Sequence, residues 1–571
     1  MITHIRSHIG KYILILSGAI SWLIPMVKSG MPIAGGIGYW GPNGHDGIWH
    51  IALIESLSRG SFDMPTFAGV QLQNYHIGFD LFVAVLHIIT RIPVSLLYFQ
   101  VIPICLAFGI GMLVWHVVYE WKNSKQAAWW STFFVYFGGS FGWIVTLARG
   151  QGVSGESMFW SQQGVSTLIN PPFAFSLIFL LSGIFCLLRM QKTKKQLMYT
   201  LLAIACFGVL IEIKAYAGVL ALGSLFVIGI WNFLRHKKSN VAVIFVGSMI
   251  VSVLLFIPLN HSSSSLIVFQ PGWFLETMLA LSDRFSWPKL YEALMNWRSG
   301  QVYAKAVIGY LVALVIFLAG NFGLRIIGLV ELKNFYKSRN VDVIHLFMLS
   351  VLGGGILAPL LFVQQGTAWN TIQFLYYSLF IASLYAGMGF ASYISTVRRP
   401  NVRITLSIIV VLLTLPTTLS TLHQVYVPNR PPAMLSNAEL EALAFLKKQD
   451  QGTVLTYPFD KAKADAAVVN PPRPLYLYES TAYVAAFSGK PVFLEDEVNL
   501  TIMSYPWKDR RALVDSFYKS GDHSYTKEFL KTNKIRYIYW IQPQQAVLGD
   551  KQLELTNIFE NKEVVIYKTK Y

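Results

Sequence analysis

Long apolar stretches recur along the first 422 residues and are separated by glycines, prolines or basic clusters. Runs near 20 residues can cross the hydrocarbon core of a bilayer as helices. The pattern therefore predicts about 11–13 membrane helices. The apolar segments lie near 12–27, 77–91, 98–119, 127–147, 172–188, 196–211, 215–234, 240–258, 302–322, 342–363, 371–393 and 404–422.

The pattern changes after residue 422, where polar residues become frequent and the apolar runs become short. Runs rich in β-branched and aromatic residues predict strands at 454–457, 491–494, 535–540 and 564–567. Helical periodicity predicts helices at 437–448, 509–519 and 526–533. This alternation favours a small α/β domain. The predicted fold is mainly α: a polytopic transmembrane helix bundle at 1–422, followed by a soluble α/β domain at 423–571.

The charge balance agrees with a membrane protein. Of the 571 residues, 54% are hydrophobic and only 13% are charged, whereas a soluble domain carries about 25% charged residues. The net charge of +17 lies mostly in the loops of the first 422 residues. Basic loops of this kind set membrane topology and contact anionic lipid headgroups. The distribution argues against a nucleic-acid partner, because such proteins gather basic residues on one soluble face.

The basic residues also predict an orientation. Arg6 and Lys11 precede the first apolar run, which favours a cytoplasmic N-terminus and puts the loop at 28–76 outside. Later basic loops put the C-terminal domain on the same outer side. Twelve crossings would instead return it to the cytoplasm, so one segment is expected to be re-entrant or split. The short segment 77–91 is the first candidate, and the break at 138–140 is the second.

The polar stretch from residue 39 to residue 80 carries the candidate chemistry. Asp46 and His50 are four residues apart and would share a helix face, and His76 and Asp80 repeat that spacing. A carboxylate beside an imidazole can act as a general base, or both groups can hold a divalent metal. Ionisable residues near a bilayer are costly and therefore indicate function. We predict that Asp46 is catalytic and that a metal, if used, is held by Asp46, His50 and His76.

Further polar residues are candidates for substrate binding. Within the same stretch these are His50, Glu55, Asn74, His76 and Asp80, and elsewhere they are Gln163, Lys214, Trp369 and Asn370. Lys214 could meet a lipid phosphate as a point charge, or could form an ion pair with Glu212 at a turn. Amides and a tryptophan suit sugar contacts, although tryptophan is also common at membrane interfaces.

The stretch from Trp40 to Arg59 with Asp46, followed by Asn74-Tyr75-His76, resembles the first outer loop of the GT-C superfamily of membrane glycosyltransferases. The resemblance implies transfer of a sugar from a polyprenyl-phosphate donor to an acceptor glycan, lipid or protein at the outer face of the cell membrane. It also implies that Asp46 is a base or a metal ligand. No cofactor is certain, and a divalent metal is allowed. The turn Glu495-Asp496-Glu497 resembles uncharacterised bacterial members of the group.

Two other classes of function remain open from the sequence. A transporter or lipid flippase would explain the many helices, and it predicts internal repeats with charged residues near the bilayer midplane. No clear repeat is visible, and the charges lie near one surface. A non-catalytic membrane receptor or scaffold would use the C-terminal domain alone.

Overall fold

The computed structural model describes residues 9–236, 240–260, 267–338, 342–544 and 555–570. Arg6, on which the predicted orientation partly depends, lies outside these residues. The chain divides into two compact units. The first comprises Met1–Pro25, Pro103–Pro258 and Ser264–Val427, and the second comprises Met26–Ile102, Leu259–Ser263 and Pro428–Tyr571. The second unit thus combines residues 26–102 with the C-terminal residues, and the predicted boundary at residue 422 stays a prediction.

The predicted helix bundle is confirmed. Among the described residues, ten helices are long and apolar enough to cross a bilayer. They are Ile9–Val27, Val94–Lys122, Pro171–Lys192, Gln196–Ile213, Ala215–Arg235, Asn240–Leu259, Tyr303–Tyr336, Val343–Leu361, Ala368–Thr396 and Pro400–Tyr426. The chain is therefore a multi-pass membrane protein. Ala368–Thr396 is 89% buried, whereas Asn240–Leu259 and Pro400–Tyr426 are each 22% buried, so Ala368–Thr396 lies at the centre of the first unit.

The two segments suspected from the sequence are the two irregular ones. Gly78–Thr90 has only 13 residues, which is too short for a regular span. Lys125–Phe137 and Gly142–Ala148 are bent by 53° and together make an eleventh span if they count as one. Over the described residues the count is therefore eleven with the bent pair, the lower limit of the predicted range, and ten without it, one fewer than predicted.

A buried arginine stabilises this bend. The break leaves the carbonyl groups of Gly138 and Gly139 without helical donors, and the guanidinium of Arg325 donates to them at 2.7 and 3.4 Å. Arg325 also donates to Ser383 Oγ at 2.8 Å and is only 3% exposed. A Cβ atom at Gly138 would lie 2.7 Å from this guanidinium. Glycine at this position therefore allows the close approach.

The helices of the second unit are short, apart from the ends of the long spans that it includes. They are Asp46–Ser58, Gly78–Thr90, Val94–Leu96, Asn437–Lys448, Lys461–Ala467, Tyr483–Ser488, Glu497–Ile502, Trp507–Lys519 and His523–Thr532. The three predicted C-terminal helices are confirmed to within a few residues. The remaining helices of the first unit are Trp273–Ala280 and Pro288–Ser299.

Two four-stranded sheets complete the second unit. One has the order Thr453–Thr456, Ile535–Ile541, Val564–Thr569 and Leu555–Glu560, with the first pair parallel and the others antiparallel. Three of the four predicted strands are confirmed here. The prediction for 491–494 is wrong, because this segment forms a single bridge from Val492 to Val454. Leu555–Glu560 was not predicted. These elements form the predicted small α/β arrangement.

The other sheet joins the first loop to the C-terminal segment. Its order is Met31–Ile33, Gly36–Tyr39, Ala433–Ser436 and Arg473–Pro474. Gly36 pairs with Ser436 in antiparallel register, and a Cβ atom at Gly36 would lie 2.0 Å from the Leu435 carbonyl oxygen. Glycine at position 36 thus permits the close pairing of these two strands. This pairing holds the first loop within the same unit as the C-terminal segment.

A buried carboxyl group gives the second unit a predictable pH dependence. Burial raises the pKa of Glu439 to about 8, and its side chain lies at the first turn of Asn437–Lys448 with 1% exposure. The folded protein therefore holds a proton that the unfolded chain releases above about pH 4.5. Stability is greatest below that pH and is lost as the pH rises towards 8.

We expect the melting temperature of the second unit to fall between about pH 5 and pH 8. Glu439→Gln should make this slope shallower, because the amide does not titrate, while the buried Glu495 keeps its own share of the slope. Thermal unfolding of the purified protein, followed by circular dichroism at several pH values, measures the effect. Glu441→Gln, an exposed position on the same helix, is the matched control and should keep the slope. An unchanged slope in Glu439→Gln would contradict the assignment.

Candidate active site

Asp46 lies at the start of a helix that is otherwise buried. The helix Asp46–Ser58 begins directly after a short turn at Gly41–Gly44 and His45, and residues 47–57 are all buried. Gly47 brings the helix against Phe99, because a Cβ atom there would lie 2.6 Å from the ring. The Asp46 side chain is 57% exposed, so it is accessible at the positive end of the helix dipole.

His45 links Asp46 to the C-terminal segment. Its Nδ1 lies 2.8 Å from Asp46 Oδ1, and its Nε2 lies 3.3 Å from Asp496 Oδ1. Burial alone would lower the pKa of His45, but attraction to Asp496 and hydrogen bonds to both carboxylates outweigh burial and raise the pKa well above its usual range. The doubly protonated ring donates one hydrogen bond to each carboxylate. It therefore fixes the orientation of Asp46.

Asp496 is held rigidly on the other side of His45. It is fully buried and caps the helix Glu497–Ile502 from a left-handed conformation, with φ 56°. Its Oδ1 accepts from the backbone N–H of Asn499 at 3.1 Å, and its Oδ2 accepts from the Asn499 side chain at 2.8 Å. A non-glycine residue in this conformation is uncommon and is retained when its contacts require it.

The neighbouring carboxyl group adds little negative charge. Glu495 accepts hydrogen bonds from the backbone N–H groups of Val484 and Ala485 at 2.8 and 3.1 Å. Burial nevertheless raises the pKa of Glu495 to about 8, so the group is mainly protonated at neutral pH. The two carboxylates that contact the His45 ring are Asp46 and Asp496.

The second histidine pairs differently from the helical-spacing prediction. His50 Nδ1 lies 2.7 Å from Asp80 Oδ1, and both side chains are buried. His50 also stacks on Tyr98 with the ring centroids 5.5 Å apart. The predicted pairing of Asp46 with His50 is therefore wrong, and so is that of His76 with Asp80. His50 lies one turn inside the helix, whereas Asp46 lies at its exposed end, and His76 stacks on Tyr75.

The other candidates from the first loop are engaged by protein groups. Glu55 accepts from Arg59 at 3.2 Å and from Lys447 at 2.9 Å. Asn74 donates from its side chain to the Met503 carbonyl oxygen at 3.0 Å. Both contacts stabilise the second unit. The substrate-binding roles of these residues stay predictions.

The remaining candidates belong to the first unit. Gln163 is buried and accepts from Arg325 at 2.8 Å. Lys214 is buried between Leu210–Ile213 and Ala215–His236, with its ammonium 5.7 Å from the centre of the Tyr216 ring. Asn370 donates to Gln364 at 2.9 Å, and Trp369 is 49% exposed. Their proposed contacts with sugar and phosphate stay predictions.

The predicted metal ligands do not form a common site. Asp46 faces His45, His50 faces Asp80, and His76 lies against Tyr75. Across the described ranges, no three His, Cys, Asp or Glu side chains surround one point as ligands. A catalytic zinc site uses three protein ligands around one ion. Asp46, His50 and His76 therefore do not form such a three-ligand site in the described arrangement.

Sequence reasoning missed His45 and Asp496. His45 precedes the helix and therefore falls outside the i, i+4 pattern that selects helix faces. Asp496 is 451 residues from its partner along the chain. The run of three acids at 495–497 was the available signal for it. Arg325 was also missed as the residue that engages Gln163.

The fold is similar to that of a solved oligosaccharyltransferase. The oligosaccharyltransferase of Archaeoglobus fulgidus, tethered with an acceptor peptide containing the NVT sequon, has a TM-score of 0.50 at 11% identity, covering 94% of this chain and 70% of that chain. The same enzyme in complex with Zn and sulfate has a TM-score of 0.49 at 13% identity, covering 92% and 68%. ArnT from Cupriavidus metallidurans bound to undecaprenyl phosphate has a TM-score of 0.37 at 12% identity, covering 97% of each chain.

No protein-family model and no curated protein sequence matches the chain. The structural likeness to the tethered oligosaccharyltransferase concerns the fold.

Proposed function

We propose that this protein is a membrane glycosyltransferase that moves a sugar from a polyprenyl-phosphate donor to an acceptor at the outer face of the membrane. One observation carries the proposal: an accessible carboxylate, Asp46, is oriented by a buried histidine that is itself fixed by Asp496. A general base needs this combination of accessibility and fixed orientation. The fold shared with solved glycosyltransferases supports the reaction class.

The pairing of His45 with Asp496 also supports a topology. Both residues belong to the second unit, so they lie on one side of the membrane and an even number of spans separates them. Nine of the ten regular spans follow Asp46, and the bent pair Lys125–Phe137 and Gly142–Ala148 makes the even number. We infer that the bent pair crosses the membrane and that Gly78–Thr90 does not. With the N-terminus in the cytoplasm, Asp46 and Asp496 then face the outside.

The proposed reaction is a single displacement. Asp46 takes the proton of the acceptor nucleophile as that nucleophile forms a bond to the anomeric carbon. The bond from this carbon to the phosphate oxygen breaks, and the carrier phosphate leaves with the electron pair. One displacement inverts the configuration of the sugar. His45 remains protonated between two carboxylates throughout and holds Asp46 in place. Lys214 is proposed to bind the carrier phosphate, and Gln163, Trp369 and Asn370 to contact the sugar.

Sugar transfer in vesicles tests the proposal. Vesicles containing the protein are supplied with radiolabelled polyprenyl-phosphate sugars, and incorporation of label into acceptors is compared between the wild type and Asp46→Asn. A flippase would move the labelled lipid across the bilayer without transferring its sugar, and a receptor would do neither. Movement of the lipid with no sugar transfer in the wild type would reject the enzyme in favour of a flippase.

Metal removal gives an independent prediction. Because Asp46, His50 and His76 do not converge on one point, we expect EDTA to change the transfer rate by less than about twofold. The assay is the vesicle transfer reaction before and after chelation and dialysis. Addition of Mg²⁺, Mn²⁺ or Zn²⁺ to the chelated sample is the control. A loss greater than about tenfold that one of these ions restores would refute the prediction.

A further inference from the structure

A large groove lies within the C-terminal part of the second unit, next to the Asp496 segment. Its volume is about 730 Å³, which is in the range of small-molecule sites. Aromatic residues and paired charges line it, among them Tyr457, Phe459, Tyr478, Trp507, Arg511 and Asp515. Neither the charge pattern nor the periodicity of the sequence indicated this groove.

The groove adjoins a smaller cavity that reaches the Asp496 segment of the candidate active site. A smaller cavity of about 40 Å³ is lined by Glu495 and Asp496. It shares Glu479, Ser480 and Glu497 with the groove. The charges of His45, Asp46 and Asp496 all act on Glu479. A ligand in the groove would therefore end close to the residues that orient Asp46.

Two carboxylates at the floor of the groove are held in place by one arginine. Arg511 donates to Glu497, to both oxygens of Asp515 at 3.1 and 3.2 Å, and to the Phe459 carbonyl oxygen at 2.9 Å. Glu497 and Asp515 side chains are 15% and 35% exposed. Ionised carboxylates keep lone pairs that accept further hydrogen bonds. Because Arg511 holds both carboxylates in place, their remaining lone pairs form directed acceptors that suit hydroxyl donors.

The walls of the groove supply apolar ring surfaces. Tyr457, Phe459 and Trp507 are all partly exposed, and the Trp507 indole N–H is engaged by Thr501 Oγ at 2.8 Å. This hydrogen bond to Thr501 fixes the orientation of the Trp507 ring. Sugars combine apolar C–H faces with many hydroxyl donors, and such a ligand matches both the rings and the fixed carboxylates.

We propose that this groove binds the acceptor, and that the acceptor is a glycan. The proposal rests on the proposed function, since it assigns the second substrate of the same site. It places the acceptor hydroxyl at the end of the groove near Glu479 and Asp46, where its proton is removed. The rest of the glycan lies over Trp507 and Tyr457.

Binding of soluble oligosaccharides to the full-length protein in detergent tests this inference without a donor. The probes are maltotriose, mannotriose and the trimer of N-acetylglucosamine, with pentalysine as the peptide probe, and saturation-transfer NMR is the readout. We expect at least one trisaccharide to bind, and Trp507→Ala and Tyr457→Ala each to weaken binding about tenfold or more. Trp507→Phe should retain part of the affinity because it keeps a ring.

Leu513→Ala is the matched control, because Leu513 is exposed on the same helix as Trp507 but does not line the groove. It should bind as the wild type does. Asp46→Asn should also bind normally, so that failure of transfer and failure of glycan binding remain separate results. The inference would be overturned if no trisaccharide bound the wild type, or if Trp507→Ala and Tyr457→Ala both bound the trisaccharides as tightly as the wild type does. It would also be overturned if pentalysine were the only probe whose binding these two variants lost.

Discussion

Asp46→Asn is expected to lower sugar transfer by at least about 100-fold, because general-base catalysis contributes roughly 10²–10⁴-fold to a rate. Asparagine has the shape of aspartate, and its carbonyl oxygen can still accept the hydrogen bond from His45. The local fold is therefore retained, and only the ability to take a proton is lost. Transfer is measured in vesicles from radiolabelled polyprenyl-phosphate donors, and donor binding by Asp46→Asn should stay close to that of the wild type.

Asp63→Asn is the matched control for this change. Asp63 belongs to the same loop and is exposed, and its described side-chain contact is with Ser61. It should transfer at the rate of the wild type. If Asp46→Asn retained more than about half of the activity, Asp46 would not be the base and the proposed mechanism would fail.

Replacement of Asp496 by alanine should have the second-largest effect, a loss of roughly 10²-fold in kcat. The reason is positional: His45 loses the carboxylate that holds its Nε2, and Asp46 loses its fixed orientation. Small displacements of catalytic groups cost rates of this size. Asp496→Asn keeps an oxygen for His45 and should recover much of the rate. The KM for the donor should change little in either variant, whereas general misfolding would lower the amount of active protein.

Asp522→Ala separates positioning from helix capping. Asp522 caps the helix His523–Thr532 by accepting a hydrogen bond from the backbone N–H of Ser524 at 2.8 Å. Its replacement by alanine should therefore cost about as much helix stability as loss of the Asp496 cap, at a position far from His45 in sequence. It should leave kcat unchanged. Equal kcat losses in Asp522→Ala and Asp496→Ala would show that Asp496 acts only as a cap.

The transmembrane helices could be predicted from the sequence because the bilayer imposes a local rule. Every backbone group within the hydrocarbon must be satisfied inside its own segment, so length and hydropathy suffice to find a span. The same rule indicated the two irregular segments, Gly78–Thr90 and the bend at 138–140. What it could not supply was the buried partner of that bend, Arg325, because the contact is set by tertiary packing.

The candidate site was only half predictable. Asp46 could be identified because an acid next to an apolar helix is unexpected. The spacing of four residues places Asp46 and His50 on one face of a helix, and it therefore predicts that these two side chains pair. In the structure residues 47–57 of this helix are all buried and Asp46 is accessible. His50 therefore contacts Asp80, which is also buried, instead of Asp46. The true partner, His45, is the residue immediately before Asp46.

The strands of the first loop could not be predicted, because glycine and proline are depleted in strands. Met31–Ile33 and Gly36–Tyr39 form a sheet only because Ala433–Ser436 offers a complementary edge. Close backbone approach at Gly36 then makes the small residue an advantage. Such information lies in the pair of segments and in neither segment alone.

The strand at Gly36–Tyr39 is synthesised early, but its neighbour Ala433–Ser436 is made after nearly the whole membrane part of the chain. Chains emerge from the ribosome N-terminal end first, so this edge waits unpaired while the later spans insert. Asp496 arrives later still. A ribosome-bound intermediate therefore carries Asp46 without the carboxylate that holds His45. The candidate site is complete only near the end of translation.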